Sequence, residues 1–121
     1  MPLTIEEVKT PSGLVSMRST VSGVLTPEEA HRYVAAYAED GPYHGMPNCG
    51  VLSPGCEIPA ESRKILAGLK PHFWKVASVV VPNMGLRMVA TFMVKIIGNK
   101  SIRIFSTEQE ALGWMDTALK G

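Results

Sequence analysis

His44, Cys49, Cys56 and His72 are the residues whose types could hold a transition metal or supply a nucleophile. Their spacing argues against both roles. A structural zinc site draws on close pairs such as C-x2-C or H-x3-H, and these four positions contain none. A strand at Cys49 would also send alternate side chains to opposite faces. Cys56 lies just before a predicted helix, whose start would lower its pKa modestly, but nothing in the sequence brings a histidine base beside it. The patterns G-x-S-x-G, G-x-x-x-x-G-K and G-x-G-x-x-G do not occur, so hydrolase, nucleotide and dinucleotide chemistry lack their usual frameworks. We therefore expect no metal, no cofactor and no enzymatic activity.

A second constellation is apolar. Between Met84 and Ile97 only Arg87, Thr91 and Lys95 are clearly polar, and they recur every four residues. A helical period gathers them on one narrow stripe. Met84, Met88 and Phe92 recur at the same spacing, with Met93 on an adjoining flank. Flexible thioethers fill irregular gaps in cores, and they also suit surfaces that adapt to varied apolar partners. One sheet face can hide only part of such a helix. The excess predicts an interaction surface made of Met84, Arg87, Met88, Phe92, Met93 and Lys95.

The elements that must position these residues follow from pattern and punctuation. Leu3 to Val8 and Leu14 to Val21 are β-rich runs separated by a Pro-Ser-Gly turn, which predicts an opening antiparallel hairpin with Val15, Met17 and Val21 inward. Thr26, Pro27 and Glu29 form a helix start with a capping box. Ala30, Tyr33, Val34, Tyr37 and Ala38 share one face of that helix, which should end near Asp40-Gly41-Pro42 with Gly41 as a left-handed cap. A loop-rich stretch to Pro59 contains one short strand, Cys49 to Ser53. A helix over 58–70 follows, then a strand from Trp74 to Val81, the Met84 helix, a strand from Ser101 to Phe105, and a last helix from Ser106 or Thr107. Its inward residues are Ala111, Leu112, Met115, Ala118 and Leu119.

Composition bounds the function. The 121 residues make one domain, 1–121, large enough to bury a core without staples. Twelve basic and eleven acidic side chains nearly cancel, which argues against a nucleic-acid surface. Two cysteines and no charged-then-apolar leader predict a reduced, cytoplasmic protein. The longest apolar run, Met84 to Ile97, is shorter than the roughly 20 residues a membrane span needs.

The predicted order ββαβαβαβα implies an α/β fold: a mixed, mostly parallel sheet with an N-terminal antiparallel hairpin and four helices. With two local signatures, Val21-Ser22-Gly23-Val24-Leu25-Thr26-Pro27-Glu28-Glu29-Ala30 and Ile102-Arg103-Ile104-Phe105-Ser106-Thr107-Glu108-Gln109-Glu110-Ala111-Leu112-Gly113-Trp114-Met115, the chain resembles the STAS domain. More closely, it is similar to the SpoIIAA-like family of small stand-alone bacterial STAS-fold proteins. The resemblance implies a STAS-like fold and a role akin to that of anti-sigma-factor antagonists. Regulatory members of that group carry a phosphorylated hydroxyl in an Asp-Ser-Ser/Thr-Gly turn. Here Ser62 is the nearest counterpart and Ser53 the next, though neither sits in that motif.

These readings converge on a noncatalytic STAS-like signalling or interaction module that binds a protein partner, or itself as a homodimer, through helix 84–97. The alternative is a lipid, a membrane surface or another apolar small molecule held between helices 58–70 and 84–97, with Arg87 and Lys95 facing an anionic headgroup.

Overall fold

Leu3–Lys9 (β1) and Val15–Val21 (β2) pair antiparallel, with Leu3 opposite Val21 and Lys9 opposite Val15. Thr10 N–H donates to Leu14 O over 2.9 Å, and Gly13 turns the chain at φ 92°, a left-handed conformation that glycine adopts without steric cost. This computed structural model describes residues 3–69, 73–81, 83–97 and 102–120, with the backbone alone at 86, 89, 92–94, 96, 97 and 120. Pro27–Tyr37 (α1), Asn48–Leu52 (β3), Ala60–Leu66 (α2), Ala77–Val80 (β4), Met84–Ile97 (α3), Ile102–Phe105 (β5) and Glu108–Lys120 (α4) complete the order.

The sheet runs β1-β2-β3-β4-β5, and every pairing after the hairpin is parallel. Each crossover therefore steps to the next strand in the same direction. The handedness preference of β-α-β units then sends all crossover helices to one face. Residues of α1, α2 and α3 indeed meet the same side of the sheet: Ala30, Leu66 and Ala90 pack with Val21, Leu52 and Val79. The last helix, α4, covers the other side, where Ala111 and Met115 pack against Cys49, Val76 and Val80.

Local chemistry explains the helix starts. Thr26 Oγ1 accepts the Glu29 N–H over 3.2 Å, and Pro27 occupies the first turn. Thr107 does the same for α4, accepting from Glu110 N–H and donating to Glu110 Oε1, so both starts are capped by a threonine side chain.

Several boundaries depart from the sequence expectation. The first helix stops at Tyr37 with Ala38 extended, and Gly41 is not left-handed. Glycine is needed there for closeness: a Cβ on Gly41 would lie 2.2 Å from Ala35 O. The second helix is Ala60–Leu66 rather than 58–70, because Pro59 holds extended geometry at its start and the chain leaves through tighter turns at Gly68 and Leu69. The fourth strand is Ala77–Val80, so Trp74 lies outside it. Val15 is exposed, whereas Ser16 and Ser19 are buried. Lys70, His72, Gly98, Asn99 and Ser101 lie outside the described residues.

The hairpin is tied to α4 by polar contacts. Asp116, itself buried, accepts from Thr10 Oγ1 over 2.7 Å, from Ser12 N–H over 3.2 Å and from the Ser12 hydroxyl. Arg18 bridges Glu6 on β1 and Glu108 on α4 at 2.6 and 2.7 Å. Its guanidinium pKa is raised, chiefly by the hydrogen bond to Glu108.

Candidate functional site: an apolar pocket with a polar end

Side chains alternate across a strand, so β2 sends Met17, Ser19 and Val21 toward α1–α3. In the same way β3 sends Asn48, Gly50 and Leu52, and β4 sends Ala77 and Val79. The helices do not fill the space above these residues. A cavity of about 130 Å³ remains, bounded by Val21, Leu52, Val79 and Ile102 of the sheet, Leu66 of α2 and Ala90 of α3. No described residue lining it carries a charge.

One end of this cavity is polar. Asn48 Oδ1 accepts from Tyr37 Oη over 2.7 Å and from Ser19 Oγ over 2.8 Å, while Asn48 Nδ2 donates to Tyr33 Oη over 2.8 Å. Rings close the assembly: Tyr33 and Tyr37 have centroids 5.0 Å apart, and Tyr37 lies 6.2 Å from Trp74. Trp74 is only 6% exposed, and its indole N–H is buried without an acceptor among the described residues. It lies close enough to the Tyr33 hydroxyl to favour the phenolate slightly, but not in hydrogen-bonding geometry.

Burial controls the titration of this end. Part of the Tyr33 ring reaches the surface, but its hydroxyl lies inside, and desolvation drives its pKa far above the ordinary phenol value. Tyr37 is fully buried, and desolvation pushes it up to about 12. Both phenols are therefore neutral hydrogen-bonding groups at physiological pH.

The residues singled out from sequence fall elsewhere. Met84 and Met88 are 73% and 72% exposed on the outer side of α3, where they line a shallow groove with Arg87, Thr91 and Lys95. Thr91 Oγ1 donates to Arg87 O over 2.8 Å. The Met-to-Met spacing and the polar stripe thus share one face, and Ala90 turns to the core. The side chains of Phe92 and Met93 lie outside the described residues. Neither Arg87 nor Lys95 lines the cavity, so a headgroup on those cations and a tail in the cavity would sit on different sides of α3.

Ser62 is fully buried and donates to Leu25 O over 2.7 Å, which ties α2 to the segment entering α1. A kinase would reach that hydroxyl only after α2 lifted. Ser53 is half-buried, with its N–H on Val21 O.

The cysteines occupy opposite faces of the sheet, Cys56 with α1–α3 and Cys49 with α4, and both are free thiols. Burial raises both pKa values. For Cys56 this overturns the expected lowering, because desolvation of the thiolate outweighs the nearby helix start. His44 Nδ1 lies 2.9 Å from Tyr37 O, and His72 lies outside the described residues. Among the described residues no group of His, Cys, Asp or Glu could hold a metal, and no helix is long and apolar enough to cross a membrane.

Sequence reasoning placed Tyr33 and Tyr37 inward but missed Ser19, Asn48 and Trp74 as one cluster. The only available signal was polar residues at inward positions of predicted strands. No protein-family model, curated protein or solved structure matches this chain.

Proposed function

We propose that this chain is a noncatalytic binding module whose ligand site is the pocket between the sheet and α1–α3. The supporting observation is an uncharged cavity of about 130 Å³ ending in a buried cluster of polar side chains. Well-formed apolar pockets with a few convergent polar groups are the usual form of small-molecule sites. The size suits a molecule of one ring rather than a lipid with long chains, since an engineered apolar cavity of about 150 Å³ takes benzene. The absence of catalysis is part of the proposal. Both cysteine thiols are buried with raised pKa values, which makes them poor nucleophiles. A STAS-like signalling role in the cytoplasm belongs to the same reading, supported by the two motifs quoted above and by the free thiols.

Toluene titrated into labelled protein tests the pocket. The expected result is a selective shift of the Ala77 and Val79 amides, lost in a folded Ala90→Leu variant whose larger side chain occupies the space. Amides that do not move at toluene saturation would remove the reading.

A second reading is association through the outside of α3, either with a second copy or with a signalling partner. It is favoured by two largely exposed methionines beside Arg87 and Lys95. Light scattering across a concentration series distinguishes it: a homodimer lost in Met88→Asp supports self-association, and a monomer at every concentration removes that form of it.

A further inference from the structure

We infer that the pocket takes a neutral, single-ring organic molecule with one carbonyl-type oxygen, held so that this oxygen accepts from the Trp74 indole N–H. The inference rests on the reading of the pocket as a ligand site and adds the chemistry of its occupant.

Counting donors and acceptors leads to it. A side-chain amide oxygen has two lone pairs, and at Asn48 both are taken, by Ser19 Oγ and Tyr37 Oη. Those two bonds use the protons of Ser19 and Tyr37. Asn48 Nδ2 donates to the Tyr33 oxygen, and the Tyr33 hydroxyl has Ser19 beside it as a further partner. Trp74 Nε1–H is left over, inside a side chain only 6% exposed. Trp74 lines the cavity. The polar end thus has one buried donor to spare.

A carbonyl oxygen on the ligand accepts from that donor. Buried polar groups are nearly always paired, and an orphaned indole N–H inside an apolar wall is therefore the mark of a missing acceptor. The remaining wall selects against charge. No described lining residue is ionised, so a carboxylate or ammonium would lose its hydration without gaining a counter-ion. Size limits the apolar part to about one ring, by comparison with the benzene-binding cavity cited above.

Acetophenone, α-methylstyrene and benzoate test this directly, because they share nearly one shape and present a carbonyl oxygen, a methylene group and a carboxylate respectively. Each is titrated into the wild-type protein at neutral pH while the two indole N–H resonances are followed. Trp114 packs on the other side of the sheet and serves as the internal control. The expected result is saturable binding of both neutral probes, no binding of benzoate, and a downfield shift of the Trp74 indole proton with acetophenone alone.

Trp74→Phe keeps an aromatic ring and removes the donor. Acetophenone should lose about five- to tenfold in affinity, as for one neutral hydrogen bond, while α-methylstyrene should change by less than about twofold. If the wild-type indole proton responds equally to both neutral probes, the acceptor assignment falls while the pocket stands as a ligand site. Benzoate binding as tightly as acetophenone overturns neutrality. If neither neutral probe binds at its solubility limit, the pocket reading falls and this inference with it. The wild-type resonances decide the matter even if Trp74→Phe does not fold.

Discussion

Tyr37 on α1 donates its hydroxyl proton to Asn48 Oδ1 on β3 over 2.7 Å, with both residues almost wholly buried. This bond joins the first crossover helix to the strand it leads into. It also orients the amide that organises the polar end of the pocket. Tyr37→Phe should cost about 1–2 kcal/mol, since one acceptor lobe of Asn48 is left empty. Asn48→Leu should cost about 3 kcal/mol, because it orphans three partners and inserts a branched chain among them. Urea denaturation of both variants checks the ranking, and an Asn48→Leu protein as stable as Tyr37→Phe would contradict it.

Alkaline stability follows from the same residue. The Tyr37 phenol ionises near pH 10 when unfolded and at about 12 when folded. Above pH 10 the native state holds the proton that the unfolded chain has released, so stability falls as pH rises. Its contribution is intact below about pH 10 and lost by about pH 12, on the order of 2 kcal/mol. Tyr33 shifts in the same direction and steepens the loss. In a Tyr43→Phe background, which leaves these two of the three tyrosines, tyrosinate absorbance should appear together with loss of the folded circular-dichroism signal, and an early tyrosinate signal from folded protein would contradict this.

Ser62 gives a test of burial against modification. Ser62→Ala removes the bond to Leu25 O and should cost about 1 kcal/mol. Ser62→Asp places a carboxylate at a position with no exposure and should cost more than about 3 kcal/mol or prevent folding. Thermal melts of the two variants measure this. A stable Ser62→Asp protein would mean that α2 opens readily enough for a phosphate to be accommodated.

Met88 is expected to behave as a surface residue. At 72% exposure, Met88→Asp should change stability by less than about 1 kcal/mol, most of it helix propensity. A large loss would place Met88 against a second chain in solution. Light scattering on the same sample tells these outcomes apart.

Ala90 faces the cavity. Ala90→Leu should raise the melting midpoint, by about 0.5–1 kcal/mol in stability terms, as cavity-filling changes commonly do. A destabilised protein would mean that the empty space is not adjacent to the added atoms. Calorimetry gives the answer directly.

Much of the architecture was legible in local patterns because local interactions cause it. Thr26 and Thr107 cap their helices through atoms three residues away, and the hairpin turn is closed by its own glycine. The alternation of strands with amphipathic helices predicted a mixed, mostly parallel sheet, and the sheet has that pairing. Boundaries were harder to read. Gly41 announced a left-handed cap, but its role is a close approach to Ala35 O, a contact that no residue type declares by itself.

The candidate site was scarcely legible. Met84 and Met88 attracted attention because periodicity is visible in one segment. Their position outside α3 depended on which side of the helix met the sheet. Ser19, Tyr33, Tyr37, Asn48 and Trp74 come from β2, α1, β3 and the approach to β4, separated by up to tens of residues. Each alone reads as an ordinary polar or aromatic residue. Sequence by itself determined the order of elements, their caps and the near-neutral charge, because these depend on neighbours along the chain. Only the tertiary structure decided that an unpartnered donor and a void would meet at one end of a sheet, because hydrogen-bond satisfaction and packing are counted in space.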